Sequence, residues 1–411
     1  MGSTSARALR SSACRLAMVP IAMAAALSGA GWSSAHATAV EEPVVLELAD
    51  ALRRDLGMTT TEYLRQATSA RRLGEIGARM AAHHPDAYGG VWIDEAGRPV
   101  VGVVRGERAG PIRALAERSG FETRLVDKSV AALRHERAQA LGSVASRLPD
   151  VASAGLDLRR NAVRTPAESS SPEPRSADAA DEPPARSVSA ATGSVGAVPA
   201  GSAYVREQGG EFELCTTGFH AVDAAGGAVA LSAGHCAPTV VPPAGPAAIR
   251  MVVPSAAGPE LAEVGRFAKR VNGEMDYSII AFDESWAPTF SNNLVSSRGA
   301  ADVAVTGVTE PVVGAPVCKS GALTGFTCGT ITAVEVVTKP VDGARRTGMF
   351  MTDVPTFKGD SGGPVMSGPY AVGLVSGGGI DPAGLSVRMY AQPLTAVLAA
   401  NPGLRITIGS T

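Results

Sequence analysis

Beyond about residue 200 the chain offers only one segment that reads as helical, Pro393–Ala400. The rest consists of short runs rich in Val, Thr and Ile, separated by Gly and Pro: Ala228–Ser232, Ile249–Val253, Tyr277–Phe282, Asp302–Val308, Gly329–Val337, Gly348–Thr352 and Ala371–Ser376. β-branched residues fit a pleated, half-buried surface, and Gly or Pro ends each run. Many short strands with turns between them can bury a core only as stacked sheets or closed barrels. The pattern predicts an all-β domain over residues 201–411.

Upstream the character differs. Residues 38–150 read as a compact α+β unit. Thr59 and Glu62 form a capping box, and Leu64, Ala67, Leu73, Ile76 and Met80 follow at near-helical spacing. Two strand-like runs, Val91–Ile93 and Val100–Val104, flank a turn containing Gly97. A short helix after Pro111, a strand near Phe121–Val126 and a helix over Ser129–Leu148 complete the unit. Residues 151–200, with Ser169–Pro174 and Asp181–Pro184, lack the apolar content for a core and are expected to be a disordered linker.

The first 37 residues read as a secretion signal. Arg7, Arg10 and Arg15 precede an apolar run from Leu16 to Ala30, and Ala35-His36-Ala37 is a small-x-small cleavage pattern. Pro20 and Gly29 interrupt the run, which is short for a membrane span. Export makes disulfides available, and four cysteines remain after the signal: Cys215, Cys236, Cys318 and Cys328. Four cysteines allow three pairings. The nearest-neighbour pairing closes two short loops, each contributing roughly 3 kcal/mol in the chain-entropy picture. None has the two-residue spacing of a zinc knuckle, so no metal and no cofactor are expected. A formal net charge of −2 gives no footprint for nucleic acid or an anionic membrane.

Chemistry concentrates in Gly359-Asp360-Ser361-Gly362-Gly363-Pro364. Small residues around Ser361 let the backbone turn tightly and let a carbonyl approach the N–H groups of Gly359 and Ser361, as an oxyanion requires. A Gly-rich turn without chemistry is the plainer reading, so a base and its orienting carboxylate must also be present. His235, in Leu231-Ser232-Ala233-Gly234-His235-Cys236, stands where an apolar strand ends. His220 lies in a turn-like segment and is expected at the solvated surface. Asp276 directly precedes the apolar strand Tyr277–Phe282, which draws it out of water and demands a partner. Asp283, at the other end, reads as a strand cap.

These three motifs, in the order His235, Asp276, Ser361, resemble the chymotrypsin-type serine proteases, and within them the bacterial alpha-lytic protease and streptogrisin family. The resemblance covers roughly residues 201–400. Cys215 before Thr216-Thr217-Gly218-Phe219, with Cys236 after His235, resembles that family's disulfide beside the histidine. Val317-Cys318-Lys319-Ser320-Gly321 and Thr324-Gly325-Phe326-Thr327-Cys328-Gly329 resemble its second bridge. Ser376, Gly377 and Gly378 resemble the strand that pairs with the substrate main chain. More loosely, residues 44–148 resemble the family's pro-region. The resemblance implies a two-barrel chymotrypsin-like domain and a monomeric, secreted serine endopeptidase acting on polypeptides. Ser361 is its nucleophile, His235 its base and Asp276 its orienting group, with the Gly359 and Ser361 N–H groups as the oxyanion hole. Residues 38–150 become a foldase and inhibitor of the chain's own protease domain, removed by cleavage near Val198–Ala203.

Two departures from the family pattern stand out. Its third disulfide is missing, with Pro355 at one expected position. Lys319 replaces an arginine expected to pair with the aspartate before the serine, so a Lys319–Asp360 ion pair is predicted, without the bidentate fork of arginine. Gly377, Gly378 and Gly379 suggest a pocket open to large apolar side chains before the scissile bond. Arg388 or Lys358 selecting glutamate is the alternative. An inactive binding protein on the same fold is the other competing class.

Overall fold

In the computed structural model the described residues are 48–106, 109–144, 153–165, 196–208, 210–239, 248–255, 258–298, 301–338, 344–380 and 387–409. The predicted signal and most of the predicted linker lie outside them. Among the described residues no helix is long and apolar enough to cross a membrane.

Two large sheets carry residues 200–409. The first runs, in order of pairing, through Arg405–Ile406, His220–Val222, Ala228–Ser232, Asp276–Phe282, Gly258–Asn272, Ala248–Ser255, Ala203–Gln208 and Glu211–Thr216. Strand Ala248–Ser255 shows why these sequences become strands: Ile249, Met251 and Val253 point inward, while the residues between them face out. Those three pack with Tyr204, Val264, Phe267 and Ile280 into one core. The second sheet closes on itself as a six-stranded barrel. Pro316–Gly321 pairs with Pro364–Ser367 on one side and with Gly325–Thr338 on the other; Tyr370–Ile380, Val387–Pro393 and Arg346–Thr352 complete the ring. This is the all-β architecture expected from the strand pattern. The sequence reading missed its longest strand, because Gly258–Asn272 carries Glu260, Glu263, Arg266 and Lys269 on its outer parts and lacks a continuous apolar run.

Residues 48–144 form the three expected helices, a further one at Leu48–Leu56 that carries no capping signal in the sequence reading, and a three-stranded sheet of Tyr88–Ile93, Pro99–Val104 and Glu122–Val126. The long helix Thr60–His83 starts where Thr59 accepts a hydrogen bond from the Glu62 N–H. Its buried face runs through Tyr63, Ala67, Ala70, Leu73, Ile76 and Met80, while Leu64 points outward. This region shares one apolar core with the second barrel. Trp92, Ile93, Leu156, Val313, Ile331 and Val334 belong to the same buried cluster.

The linker expectation needs correcting at residues 153–165. Ser153–Asp157 and Ala162–Arg164 form a hairpin that extends the barrel sheet, with Leu156 opposite Val334 and Ala154 opposite Val337. An exposed strand edge supplies unpaired N–H and C=O groups, and this short segment satisfies them. Compositional reading overlooks such strands because main-chain pairing to a partner does not require a long apolar run. Helix Val130–Val144 secures the same place: Arg134 makes three hydrogen bonds to the Glu335 carboxylate, at 2.6, 2.8 and 3.1 Å, and Arg137 bonds the Glu335 carbonyl. At the other end of strand Gly325–Thr338, the Cys328 N–H donates to Asp55 at 2.8 Å.

His220 is also corrected. It is buried in a strand, with Phe282 and Phe290 edge-on at 6.1 and 5.8 Å and Nδ1 at 3.2 Å from the Asn292 carbonyl. Its Nε2 has no hydrogen-bond partner among the described residues. Burial pushes its pKa down from 6.5 to about 4. The folded state therefore binds fewer protons than the unfolded chain between those values. Stability is complete above about pH 6.5 and falls as pH drops toward 4, by on the order of 3 kcal/mol. Urea midpoints of the Ser361→Ala chain should track this fall, and His220→Leu should flatten the curve across the same window.

Candidate functional site

Asp276 begins its strand at the seam between the two sheets and is wholly buried. Its Oδ1 accepts the backbone N–H of His235 at 2.9 Å, and its Oδ2 lies 2.9 Å from His235 Nδ1. That contact makes Nδ1 the protonated nitrogen and leaves Nε2 as an acceptor. The approach depends on Gly234, where a β-carbon would stand 1.8 Å from the Val271 carbonyl oxygen. The imidazole keeps 28% of its surface exposed, so it reaches solvent while its partner does not.

Three groups from the second barrel converge on Asp276. Ser376 Oγ donates to Oδ2 at 2.5 Å, Gln392 Oε1 accepts the Asp276 N–H at 3.0 Å, and Arg346 Nε lies 3.3 Å from Oδ2. Arg346 Nη2 also donates to Asn272 at 3.0 Å. Burial alone would raise the Asp276 carboxyl. The hydrogen bond and charge of His235, then the charge of Arg346 and the Ser376 hydroxyl, outweigh it and hold the group below its ordinary pKa. Sequence reading missed Arg346 and foresaw only a main-chain role for Ser376. Arg346 sits 70 positions beyond Asp276 in a segment without a motif, so no local signal marks it.

Ser361 is partly exposed at the turn after Asp360. Its carbonyl accepts the Thr216 N–H at 2.9 Å, next to the bridged Cys215, and Gly362 N–H donates to Val375 at 2.7 Å. The loop around Ser361 is thus tied to both sheets. Both disulfides form by nearest neighbours, Cys215–Cys236 and Cys318–Cys328. No hydrogen bond joins Ser361 to His235 among the described residues, a common state of such pairs without a reactant. Gly359 has φ +110°, a backbone conformation that favours glycine. Among the described residues neither the Gly359 N–H nor the Ser361 N–H donates to a protein acceptor, so both can bind an incoming oxyanion.

Behind the loop the predicted ion pair is present. Lys319 Nζ lies 3.3 Å from Asp360 Oδ2, and both side chains are fully buried. Asp360 also accepts from the backbone N–H groups of Leu323 (2.9 Å), Thr324 (3.0 Å) and Phe357 (3.1 Å), and from Thr324 Oγ1 (2.6 Å). Burial pulls the Lys319 pKa down. For Asp360 burial acts upward but is outweighed by the Lys319 charge and these hydrogen bonds, so its carboxyl is held below the ordinary range. Removing either partner would strand a buried charge, a loss of about 3–5 kcal/mol.

The wall formed by Ser376–Gly378 is bulged. Val375 faces Ala391 and Gly377 faces Tyr390, which leaves Ser376 as the extra residue. At Gly377 a β-carbon would meet nothing within 4 Å. Gly378 is different: a β-carbon there would stand 2.6 Å from Thr356 Cγ2 and 2.2 Å from the Arg388 carbonyl oxygen. Arg388 itself lines a small space with Ser153, Gly155 and Arg164 of the hairpin. Lys358 is exposed.

Comparison with known proteins adds the following. Residues 222–398 match the trypsin family model. Streptogrisin-C of Streptomyces griseus is 37% identical over 134 residues, covering 33% of this chain and 28% of that protein. Serine protease 1 of Rarobacter faecitabidus is 24% identical over 386 residues, 92% of this chain and 67% of its own length. Glutamyl endopeptidase 2 of Streptomyces griseus is 32% identical over 127 residues, 30% of this chain and 64% of that protein.

The fixed charges meeting at the seam are Asp276 and Arg346; Asn272, Ser376 and Gln392 are neutral. The Arg346 cation favours the charged form of the Asp276 carboxyl. With Arg346→Met that carboxyl rises toward its ordinary pKa, so the acid loss of stability that it contributes to the Ser361→Ala chain should be complete at higher pH, with Arg346→Lys in between. Urea midpoints across acidic pH measure this; a purely structural defect would lower the midpoints without moving the pH of the fall.

Proposed function

Residues 222–398 are a trypsin-family domain of the bacterial chymotrypsin-like type, and on that premise we propose that this protein is a secreted serine endopeptidase made as a zymogen. The observation that carries the reading is the pairing of partly exposed His235 with buried Asp276 at 2.9 Å, beside a glycine-rich loop offering two unpaired N–H groups. Ser361 Oγ attacks the scissile carbonyl as His235 Nε2 takes its proton. The N–H groups of Gly359 and Ser361 stabilise the oxyanion. His235 then passes the proton to the leaving amine, and water, activated by the same base, releases the acyl group from Ser361. Asp276 holds the imidazole tautomer, and Ser376, Gln392 and Arg346 hold Asp276. The main chain freed by the bulge at Ser376, with Gly377 and Gly378, pairs with the substrate before the scissile bond.

Residues 38–150, joined by the hairpin at 153–165, act as the foldase and inhibitor of this domain. Their support is the grip on strand Gly325–Thr338 at both ends, and a core shared with the second barrel. A β-rich domain of non-local contacts folds slowly, and a partner that already pairs with strand Gly325–Thr338 in the transition state lowers that barrier. Maturation near Val198–Ala203 is revised. The N–H groups of Val198, Ala200 and Gly201 are all bonded to the protease body, and Val198 and Ala200 are buried. A protease needs accessible extended chain, so the cut falls before Val198.

Specificity is revised as well. Thr356 fills the side of Gly378 that a large side chain would need, which favours small apolar residues before the scissile bond. Comparing wild type with Ser361→Ala after export tests the whole reading. Wild type should lose residues upstream of Val198 and react with a fluorophosphonate; the variant should do neither. Peptide-library profiling should show Ala and Val preferred over Phe before the scissile bond, and Thr356→Gly should admit Phe at least about tenfold better.

A further inference from the structure

Thr216 ends strand Glu211–Thr216 and is wholly buried beneath the loop that carries Ser361. All of its polar groups are engaged. Its N–H donates to the Ser361 carbonyl at 2.9 Å. Its Oγ1 donates to the Gly359 carbonyl at 2.8 Å and accepts the Ala322 N–H at 2.9 Å. Its own carbonyl accepts from Ser232 Oγ at 3.0 Å, and Ser232 Oγ lies 2.9 Å from the Tyr204 hydroxyl. A hydroxyl has one proton, so Ser232 gives its proton to Thr216 and Tyr204 donates to Ser232. A chain of hydrogen bonds therefore leads from the core of the first sheet to Gly359. Gly362 permits the close approach. It has φ +88°, and a β-carbon there would stand 2.0 Å from Ser232 Oγ and 2.5 Å from the Thr216 carbonyl oxygen.

Peptide groups are rigid planes, so each turns only as a whole. The Gly359 N–H belongs to the Lys358–Gly359 unit, and the Ser361 N–H to the Asp360–Ser361 unit. One unit lies between them, Gly359–Asp360. Thr216 Oγ1 grips its carbonyl, and its N–H donates to the Phe357 carbonyl at 3.0 Å. Turning that unit changes ψ of Gly359 and φ of Asp360, which swings the two donors relative to each other. Gly359 itself resists little, having no side chain to restrict rotation. The next unit, Ser361–Gly362, is fixed in the same way. Thr216 N–H holds its carbonyl, and the Val375 carbonyl takes its N–H at 2.7 Å. We propose that Thr216 is a positioning residue for the reaction: its hydroxyl sets the angle between the two oxyanion donors without touching the substrate. This role rests on the protease reading above. It acts on the main chain of the turn, whereas the Asp360 carboxylate anchors the same turn to Leu323 and Thr324.

The test uses exported, processed enzyme on peptide amide substrates, with sites counted by fluorophosphonate labelling of Ser361 taken to completion. Thr216→Val keeps the shape and the main-chain bonds and removes only the hydroxyl. Deleting an oxyanion donor outright costs about 10²–10³ in kcat, so a loosened pair should cost roughly 10- to 100-fold. KM should change by less than about twofold. A peptide trifluoromethyl ketone, whose adduct carries the oxyanion, should lose affinity in step with kcat. The matching peptide without a reactive carbonyl should bind as before. Thr216→Ser restores the hydroxyl and should recover most of kcat; Thr216→Ala replaces the valine variant where that one is not exported. Wild-type kcat per labelled site in the valine or alanine variant overturns the proposal, however few molecules fold. So does a fall in kcat that serine does not recover, or one that leaves ketone affinity unchanged. A wild type that is neither labelled nor active overturns the protease reading itself, and this role with it.

Discussion

Everything at the seam depends on one buried carboxylate. Asp276 is wholly buried, and an ion in that setting persists only where donors surround it. Its donors come from both halves of the domain: His235 from the first sheet, Ser376 and Arg346 from the second barrel, with Gln392 accepting its N–H. Satisfying Asp276 therefore also registers the two halves against each other. The imidazole is oriented as a by-product of that registration.

A second buried ion does the same for the loop around Ser361. Asp360 collects backbone N–H groups from the loop around Leu323 and Thr324 and from its own turn at Phe357, and Lys319 neutralises it. The lysine is a single point charge, so geometry comes from the surrounding N–H groups and from Thr324. This division accounts for a well-tied loop without the arginine or the third disulfide expected from the family pattern. The loop that results presents two N–H groups with no protein acceptor among the described residues.

The N-terminal region meets the barrel through main chain as much as side chains. Its hairpin adds strands to the barrel sheet, its arginines clasp Glu335, and Asp55 caps Cys328 near the opposite end of the same strand. Strand addition uses groups that any edge strand possesses, whereas the clasp at Glu335 is particular to this pair. Glu335 adopts φ +50° at the bulge, which turns its carbonyl toward Arg137.

The all-β class, the helix capped by Thr59, the four-cysteine framework and the candidacy of His235, Asp276 and Ser361 were legible in the sequence alone. Each leaves a local mark: a period of two, a capping box, a spacing of cysteines, a histidine at a strand end, a serine among glycines. Only the tertiary structure decided that His220 is buried, that Arg346 and Ser376 hold Asp276, that Thr356 closes on Gly378, and that residues 153–165 belong to a sheet. These features arise between segments far apart in the chain, and contacts of that kind impose no periodicity or composition on either partner. The candidate site was readable because reactive groups need particular neighbours in sequence; its supports were not, because they need neighbours only in space.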